Sequence, residues 1–367
     1  MSNKKVLVGM SGGVDSSVSA ALLLEAGYDV SGLTITPFKI DDDCQVKLRE
    51  RSCCSFKSVI DANDVCKKLG IEHYLIDLTE AFRKNIVEDF VNEYLTGRTP
   101  NPCVKCNPAI KWGGMLEKAD SIGADFVASG HYAKVKQDSD SGRFYLSKGD
   151  DNNKDQSYFL WKMSQEQLSR TIFPLGDLNK RETREIARRF ELTVHSKADS
   201  QEVCFIPDNN YHGFLKKQLN KEGRVIPEGD IVFDGNIIGK HSGYPFYTIG
   251  QRKGLGVSHS VPLYVKNIIP EKNIVVVGPI EELFSKSLIA EDINLMKYSH
   301  LSDDKAYQVK IRYKDIGADA NCKLTDDGKM LINFLSNRRA ITPGQTVVIY
   351  KGNDIVAGGI IKSWEGN

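Results

Sequence analysis

The sequence predicts an α/β protein in which a doubly wound parallel sheet comes first, a small β-rich central domain follows, and a C-terminal β-barrel ends the chain. Strand and helix patterns alternate up to about residue 130, which is typical of parallel sheets. Short strand patterns separated by glycine and proline begin near residue 207, as in antiparallel β structure. The 367 residues suffice for two or three domains, and we expect them to be 1–206, 207–280 and 281–367.

The stretch KVLVGMSGGVDSS at Lys5–Ser17 predicts the first strand–turn–helix unit. Its apolar run indicates a buried strand, and the apolar residues after it indicate a buried helix that ends at Gly27. The same reasoning predicts strands at Tyr28–Thr36, His73–Leu78 and Asp125–Ser129, and helices at Val59–Leu69, Phe82–Tyr94 and Ile110–Ile122. Gly97–Pro108 has three prolines and no periodicity, which predicts a loop.

Two further elements are predicted from local signals. Tyr132–Lys148 has the pattern of a β-hairpin with its turn at Asp140–Gly142. Asn179–Phe190 has the pattern of a helix, with a capping box completed by Glu182. One stripe of this helix contains three arginines: Arg181, Arg184 and Arg188. That stripe is either a solvated helix face or a surface that contacts phosphates.

The turn after the first strand has the composition of an anion site. Gly12 and Gly13 allow backbone N–H groups to converge, and the following helix adds the partial positive charge of its N-terminus. Three nearby serines can add hydroxyl donors. Asp15 is a poor phosphate ligand, so it either holds Mg²⁺ or fixes the loop. The turn resembles the SGGxDS loop of the PP-loop ATP pyrophosphatases, which cut ATP to AMP and pyrophosphate.

Composition narrows the class of protein. Lys and Arg number 49 and Asp and Glu 48, so any nucleic-acid surface must be a local patch. No apolar run reaches the length of a membrane span. The first strand pattern begins by residue 6, so we expect no targeting peptide and a cytoplasmic location. Eight cysteines in such a chain favour thiol chemistry or a metal over a disulfide framework.

Three polar clusters carry residues suited to chemistry: Asn101–Asn107 (NPCVKCN), Lys154–Tyr158 (KDQSY) and Asp199–Ile206 (DSQEVCFI). Cys66, on an apolar helix face, and Cys322, in a predicted barrel strand, have the positions of small buried hydrophobic residues. Cys106 and Cys204 lie instead in segments that predict polar loops. A thiol in such a segment, just before a helix, favours a lowered pKa and reactivity.

Several motifs occur together and in order: SGGVDSS, GRTPNPCVKCN, GHYAK, NKDQSYFL, SQEVCFI, YTIGQRKGLG, Arg312–Tyr313 and the TPGQ of Thr342–Gln345. As a set they resemble the tRNA-specific 2-thiouridylases, over almost the whole chain. The resemblance implies ATP-dependent adenylation of the C2 oxygen of the wobble uridine (position 34) of a tRNA, followed by sulfur transfer from a cysteine persulfide.

The resemblance also implies roles for individual residues. ATP, with Mg²⁺, would be bound by Gly9, Met10, Ser11, Gly12, Gly13, Val14, Asp15, Ser16, Ile35 and Gly130. Asp15 is included among the catalytic residues. Cys204 would carry the persulfide, and Cys106 would be the second nucleophile. A pocket for the flipped uridine would be lined by Asn101, Pro102, Cys103, Lys154, Asp155 and Gln156. Further tRNA contacts would come from His131, Arg312, Tyr313 and Gln345. The implied partners are a tRNA anticodon loop and a sulfur carrier or cysteine desulfurase that donates persulfide.

Cys103 departs from the pattern of these enzymes, many of which have an aspartate at this position that is a proposed acid or base. A thiol with an ordinary pKa cannot simply replace a carboxylate. Cys103 is a third thiol of the sulfur relay, a residue that only lines the pocket, or, with Cys106 and Cys204, a ligand of an iron–sulfur cluster. Zinc bound through Cys53, Cys54, Cys103 and Cys106 is less favoured, because an adjacent pair cannot chelate as C-x-x-C does.

Two other classes of protein remain alternatives. A PP-loop ligase that adenylates a small metabolite would not need Cys106, Cys204 or the β domains. A tRNA-binding module without catalysis would not need the intact Ser11–Ser17 loop. A 4-thiouridine synthetase would also use SGGxDS, but it is expected to need an N-terminal RNA-binding domain for which the sequence leaves no room.

Overall fold

The computed structural model describes residues 3–37, 56–198, 203–206, 210–302 and 305–364. Cys44, Cys53, Cys54 and residues 199–202 therefore lie outside the described residues. The chain divides into two compact units. The first consists of Met1–Val87, Pro102–Asn209 and Asn353–Ile355, and the second of Glu88–Asn101, Asn210–Gly352 and Val356–Asn367. The boundaries of the three predicted domains stay a prediction.

The secondary structure of the described residues consists of β-strands, α-helices and short 3₁₀ and π segments. The strands are β1 (Lys5–Gly9), β2 (Asp29–Thr36), β3 (His73–Asp77), β4 (Phe126–Ala128), β5 (Ala133–Gln137), β6 (Phe144–Lys148), β7 (Thr171–Ile172), β8 (Gly229–Phe233), β9 (Asn236–His241), β10 (Tyr264–Ile269), β11 (Ile274–Gly278), β12 (Phe284–Leu295), β13 (Ala306–Lys310), β14 (Ala318–Leu324), β15 (Met330–Arg339), β16 (Thr346–Lys351) and β17 (Asp354–Trp364). The helices are α1 (Val14–Glu25), α2 (Phe56–Leu69), α3 (Thr79–Phe82), α4 (Glu88–Leu95), α5 (Pro102–Cys106), α6 (Gly113–Ser121), α7 (Gln165–Ser169), α8 (Lys180–Arg189) and α9 (Tyr211–Lys221).

The first unit contains a five-stranded sheet in the order β3-β2-β1-β4-β7. Each neighbouring pair in it is parallel, as the alternation of strand and helix patterns predicts. Val6, Leu7 and Val8 of β1 are fully buried, because helices cover both faces of a parallel sheet. Val18 and Ala20 of α1 belong to the same core. The predicted fold class is confirmed for this unit.

Local signals at two other places are also confirmed. Asn179 is the N-cap of α8, and its side chain and that of Glu182 form the reciprocal capping box. Strands β5 and β6 pair as an antiparallel hairpin, and Gly142 in its turn has a φ of 69°. Both features depend on residues close in sequence, which is why the pattern alone located them.

The predicted loop at Gly97–Pro108 is wrong in its second half. Pro102–Cys106 is the helix α5, and a π-helical segment continues from Asn107 to Trp112 into α6. Proline is accommodated in a first helical turn, since the N–H that it lacks has no partner there. Pro102 begins α5, where its missing N–H costs little, and Pro108 lies at the junction where α5 passes into the π-helical segment; the chain stays helical through both. Cys106 is consequently buried on a helix rather than placed in a polar loop.

The second unit contains two β structures besides α4 and α9. A four-stranded sheet has the order β10-β11-β8-β9. Among the described strands, six form a barrel in the order β12-β15-β14-β13-β16-β17, and pairing of β12 with β17 closes it. Val309, Ile332 and Ile349 fill the barrel core. The expectation of a small β-rich region and a C-terminal barrel is confirmed.

Candidate active site

The turn between β1 and α1 forms a tight loop organised by its own hydroxyls. Gly12 has a φ of 65°, which favours glycine, and a Cβ there would lie 2.2 Å from the Ser58 carbonyl oxygen. Ser16 Oγ accepts a hydrogen bond from the Ser11 N–H at 3.2 Å and donates to the Gly13 carbonyl at 3.2 Å. Ser17 Oγ donates to the same carbonyl at 2.8 Å. These bonds fix the loop at the N-terminus of α1, which is where the sequence predicts an anion site.

The residues expected to assist this loop lie at the carboxyl edge of the adjacent strands β2, β1 and β4. Ile35 is half-buried near the end of β2, and Gly130 follows β4. A Cβ on Gly130 would lie 2.6 Å from the Asp15 carbonyl carbon and the Ser16 nitrogen. Met10 donates its N–H to the Leu33 carbonyl at 2.7 Å, which fixes the loop against β2. The carboxyl ends of parallel strands form the usual ligand-binding edge of such a sheet.

Asp15 is an ion-paired residue in the first turn of α1. The Lys180 ammonium lies 2.7 Å and 2.8 Å from its two carboxylate oxygens. The Tyr132 hydroxyl donates to the same carboxylate at 3.0 Å. Of the two roles left open for Asp15, these contacts favour fixing the loop over holding Mg²⁺.

The cysteine-bearing segments share a neighbour in the first unit. Helix α5, which carries half-buried Cys103 and buried Cys106, packs against the π-helical segment Arg83–Val87. Phe205, next to Cys204, meets Phe82 with ring centroids 5.7 Å apart. The segment around residues 82–87 thus contacts both α5 and the chain at Phe205. None of the five described cysteines is in a disulfide.

Cys66 and Cys322 are the buried, structural thiols that the sequence predicts. Cys66 is fully buried on α2, and Cys322 is buried in β14. Burial raises the pKa of each thiol to about 12. Neither supplies a thiolate at neutral pH.

The turn Lys154–Gln156 is tied to the chain that follows β4. The buried Asp155 carboxylate accepts hydrogen bonds from the N–H groups of Gly149 and Ser157, at 3.3 Å and 3.1 Å, so it organises the turn itself. Gln156 Oε1 accepts from the Tyr132 N–H at 3.1 Å, and the Gln156 N–H donates to the Tyr132 carbonyl at 2.9 Å. We call the loop at residues 9–16 the phosphate loop, after the ligand that the sequence predicts for it. Tyr132 joins the turn Lys154–Gln156 to this loop, because its hydroxyl donates to Asp15.

His131 lies beside the same turn, between aromatic rings. Its Nδ1 is 2.8 Å from Ser129 Oγ, and the Trp112 ring is 5.6 Å away between centroids. Burial, with a smaller contribution from the Lys111 charge, lowers the pKa of His131 to about 3. The imidazole is neutral at physiological pH, so this side chain can offer a ligand hydrogen bonding or stacking but no charge.

Four predicted tRNA-contacting residues belong to the second unit: Asn101, Arg312, Tyr313 and Gln345. Gln345 Nε2 donates to the Thr99 carbonyl at 2.9 Å, so this side chain fixes the segment just before half-buried Asn101. Arg312 is exposed and donates to the Arg339 carbonyl at 2.5 Å. Tyr313 is half-buried next to it.

The arginine stripe of α8 has a partly structural use. Arg184 donates to the carbonyls of His195 and Lys197, at 2.6 Å and 3.0 Å. Arg181 is exposed and lies 3.6 Å from Glu185, and Arg188 is exposed. The solvated-face interpretation fits the exposed arginines, and Arg184 instead holds the chain after α8.

Sequence reasoning missed Tyr132, Lys180 and Lys197. The GHYAK motif contains Tyr132, yet only Gly130 and His131 were singled out from it. Lys180 is the first residue of the basic helix and Lys197 follows that helix, and no local signal shows that either reaches the phosphate loop. Lys197 Nζ donates to the Gly12 carbonyl at 2.9 Å.

The described residues contain no metal site built from three protein ligands. Among them, no three His, Cys, Asp or Glu side chains are grouped as metal ligands, Cys103, Cys106 and Cys204 included. These three cysteines therefore do not fit an iron–sulfur cluster in this arrangement. In the described ranges, no helix is long and apolar enough to cross a membrane.

Comparison with known protein families first gives the class of protein to which the chain belongs. Three family models match in order: the tRNA methyl transferase HUP domain over residues 4–208, the tRNA methyl transferase PRC-barrel domain over 212–279, and the aminomethyltransferase β-barrel domain over 285–361. The protein is thus a HUP-domain protein with two β modules of this family.

Similar relatives then specify the family. The tRNA-specific 2-thiouridylase MnmA of Salinibacter ruber is 47% identical over 98% of this chain and 95% of its own length. MnmA 1 of Caldanaerobacter subterraneus is 47% identical over 98% of both chains. MnmA of Heliobacterium modesticaldum is 48% identical over 97% of this chain and 92% of its own. The chain belongs to the family of the tRNA-specific 2-thiouridylases. A ligase acting on small metabolites is not favoured.

Proposed function

We propose that this protein is an ATP-dependent tRNA-uridine 2-sulfurtransferase that forms 2-thiouridine at wobble position 34. Family membership over nearly the whole chain supports the reaction. The arrangement of the first unit is the observation that assigns this reaction to the loop after β1 and to the two cysteine-bearing segments. An anion-binding loop lies at the carboxyl edge of the sheet, and two cysteine-bearing segments pack against one helical segment of the same unit.

ATP binds at the loop of Gly9–Ser16, with Ile35 and Gly130 beside it. Backbone N–H groups at the start of α1 hold the pyrophosphate end, where the helix dipole favours negative charge. The uridine C2 oxygen attacks the α-phosphorus, and pyrophosphate leaves. The product is an O-adenylated uridine, from which AMP is a good leaving group. Mg²⁺ enters with the ATP phosphates, since Asp15 is already paired with Lys180.

Sulfur transfer uses Cys204 as the persulfide carrier and Cys106 as the second nucleophile. In one route the terminal persulfide sulfur attacks C2 and expels AMP. The Cys106 thiolate then attacks Cys204 Sγ, which releases 2-thiouridine and leaves a Cys106–Cys204 disulfide. In the other route Cys106 attacks first and releases hydrosulfide, which attacks C2. Both routes leave the same disulfide, and an external thiol reduces it.

The target uridine reaches this site by leaving the anticodon stack. We assign the pocket to Asn101, Pro102, Cys103 and the turn Lys154–Gln156. Further contacts with the tRNA come from His131, Arg312, Tyr313 and Gln345. Two roles remain for Cys103 in this pocket: it is a third thiol of the sulfur relay, or it only lines the pocket. The sulfur reaches Cys204 from a persulfide-donating carrier or cysteine desulfurase.

The test is Cys204→Ser, assayed with a persulfide donor and a tRNA that has uridine at position 34. We expect no 2-thiouridine by nucleoside mass spectrometry, with ATP and tRNA binding unchanged. Cys66→Ala is the matched control, since Cys66 is a buried structural thiol, and it should keep thiolation. Normal thiolation by Cys204→Ser would remove the persulfide role. Wild-type protein that releases pyrophosphate without forming 2-thiouridine would overturn the proposed function.

A further inference from the structure

Lys180 is the first residue of α8 and is bound through both its backbone and its side chain. Its N–H donates to the Asp151 carboxylate at 3.0 Å, just before the turn Lys154–Gln156. Its ammonium lies within 2.8 Å of both Asp15 oxygens. Lys180 therefore joins the chain just before this turn to Asp15 of the phosphate loop, and Tyr132 joins the turn itself to Asp15.

The pair Lys180–Asp15 is partly shielded from water. The Lys180 side chain is 13% exposed and the Asp15 side chain 32%. The fully buried Tyr132 ring lies 5.8 Å from the ammonium, and its hydroxyl holds the same carboxylate. Attraction between charges in such a place is screened less than at the surface.

The location of Asp15 gives this pair a consequence for ATP. Asp15 is the second residue of α1, so it lies in the helical turn whose N–H groups form the proposed anion site. An unpaired carboxylate there would repel the triphosphate, because like charges a few ångströms apart destabilise each other. The pairing with Lys180 removes this repulsion and leaves the positive end of the helix to the phosphates.

We propose that Lys180 is a positioning residue for ATP, which neutralises Asp15 and holds it as an anchor of the phosphate loop rather than as a metal ligand. This inference rests on the proposed function and concerns the same site. On this inference, Asp15 contributes to the reaction through its ion pair with Lys180, which shapes the ATP site.

The experiment is a charge-rescue series: Lys180→Met, Asp15→Asn and the double variant, with Lys180→Arg as the conservative substitution. Lys180→Met leaves the Asp15 carboxylate without its cation, so KM for ATP should rise about tenfold or more while kcat at saturating ATP changes little. Asp15→Asn should raise KM less. The double variant should return KM to within about threefold of the native value, because no unpaired charge is left.

Two further variants make the series decisive. Lys68→Met breaks the surface pair Lys68–Glu191, whose side chains are 38% and 84% exposed, and should leave KM for ATP unchanged. Tyr132→Phe removes the hydroxyl that donates to Asp15 and leaves the Lys180–Asp15 pair in place. It should also raise KM for ATP, and it tests the inference if Lys180→Met fails to fold. Circular dichroism checks folding of each variant.

ATP binding without tRNA, measured by calorimetry, separates this inference from the proposed function. Weaker ATP binding by Lys180→Met, restored in the double variant, supports the inference whether or not 2-thiouridine forms. Native ATP affinity in Lys180→Met, or complete inactivity of Asp15→Asn with no rescue in the double variant, would overturn it. The latter outcome would show that the carboxylate acts on a metal or on the reaction itself.

Discussion

Lys197 joins the phosphate loop to α2: its ammonium donates to the Gly12 carbonyl oxygen at 2.9 Å and lies 2.6 Å from the Asp61 carboxylate. Arg184 holds the backbone of the same segment through the His195 and Lys197 carbonyls. The chain then continues toward Cys204. The loop proposed to bind phosphate and the chain that leads to Cys204 are therefore anchored to each other at Lys197, seven residues before that cysteine.

Lys197→Met should lower the free energy of unfolding by about 1–3 kcal/mol, because it removes charged hydrogen bonds from a largely buried position. The Lys197 and Asp61 side chains are 23% and 24% exposed. Urea denaturation measures the change. The matched control is Arg189→Met, which breaks the pair with Glu25, whose side chains are 56% and 52% exposed. That control should cost less than about 1 kcal/mol, and equal losses in both variants would contradict the anchoring role.

Gly130→Ala should weaken ATP binding by roughly tenfold or more, since overpacking typically costs about 1–3 kcal/mol. The new methyl group would lie 2.6 Å from backbone atoms of Asp15 and Ser16, so the start of α1 would have to move. Gly113→Ala is the control, because its nearest neighbour would be 3.7 Å away. Calorimetric titration with ATP compares the two. Native affinity in Gly130→Ala would show that the loop tolerates this displacement.

His131 should make the protein lose stability as the pH falls. The folded protein keeps this ring neutral down to about pH 3, because burial lowers its pKa. The unfolded chain binds the proton near pH 6.5, so unfolding takes up a proton between these values. The free energy of unfolding should therefore fall below pH 6.5, by at most about 1.4 kcal/mol per pH unit.

The measurement is urea denaturation at pH 7.5 and pH 5. His131→Gln should lose less stability over this range than the wild type, by roughly 1–2 kcal/mol. His300→Gln changes an exposed histidine and should behave as the wild type. An equal acid sensitivity of the wild type and His131→Gln would contradict burial of the neutral imidazole.

Thiol reactivity should separate the cysteines into two groups. Cys66 and Cys322, each with a pKa raised to about 12 by burial, should resist iodoacetamide at pH 8. Cys204 and Cys103 are half-buried and should react faster. Peptide mass spectrometry gives the rate at each position, and labelling in urea confirms that all sites can react. Alkylation of Cys66 as fast as Cys204 would disprove the distinction.

Much of the fold could be predicted because its signals are local. The apolar run of β1, the capping box of Asn179 and the hairpin turn at Gly142 all depend on neighbours within a few residues. The loop expected at Gly97–Pro108 failed for a related reason. Proline usually interrupts a helix, but Pro102 begins one, where its missing N–H costs little, and Pro108 lies at the junction where α5 passes into the π-helical segment.

The candidate site was predictable in residue type but not in its contacts. Motifs identified the phosphate loop and the cysteines of the two polar clusters. They gave no indication that Asp155 uses its carboxylate to hold its own turn, or that Gln345 holds the Thr99 carbonyl. Side-chain partners far apart in sequence leave no periodic pattern.

The sequence by itself determined the parallel sheet, the phosphate loop after β1 and the membership in a thiouridylase family, because periodicity and motif spacing are written in consecutive residues. Only the tertiary structure decided the state of Asp15. Its cation, Lys180, is 165 residues away along the chain and reaches it because α8 packs against α1. Which charges meet in a folded protein depends on the packing of helices and strands.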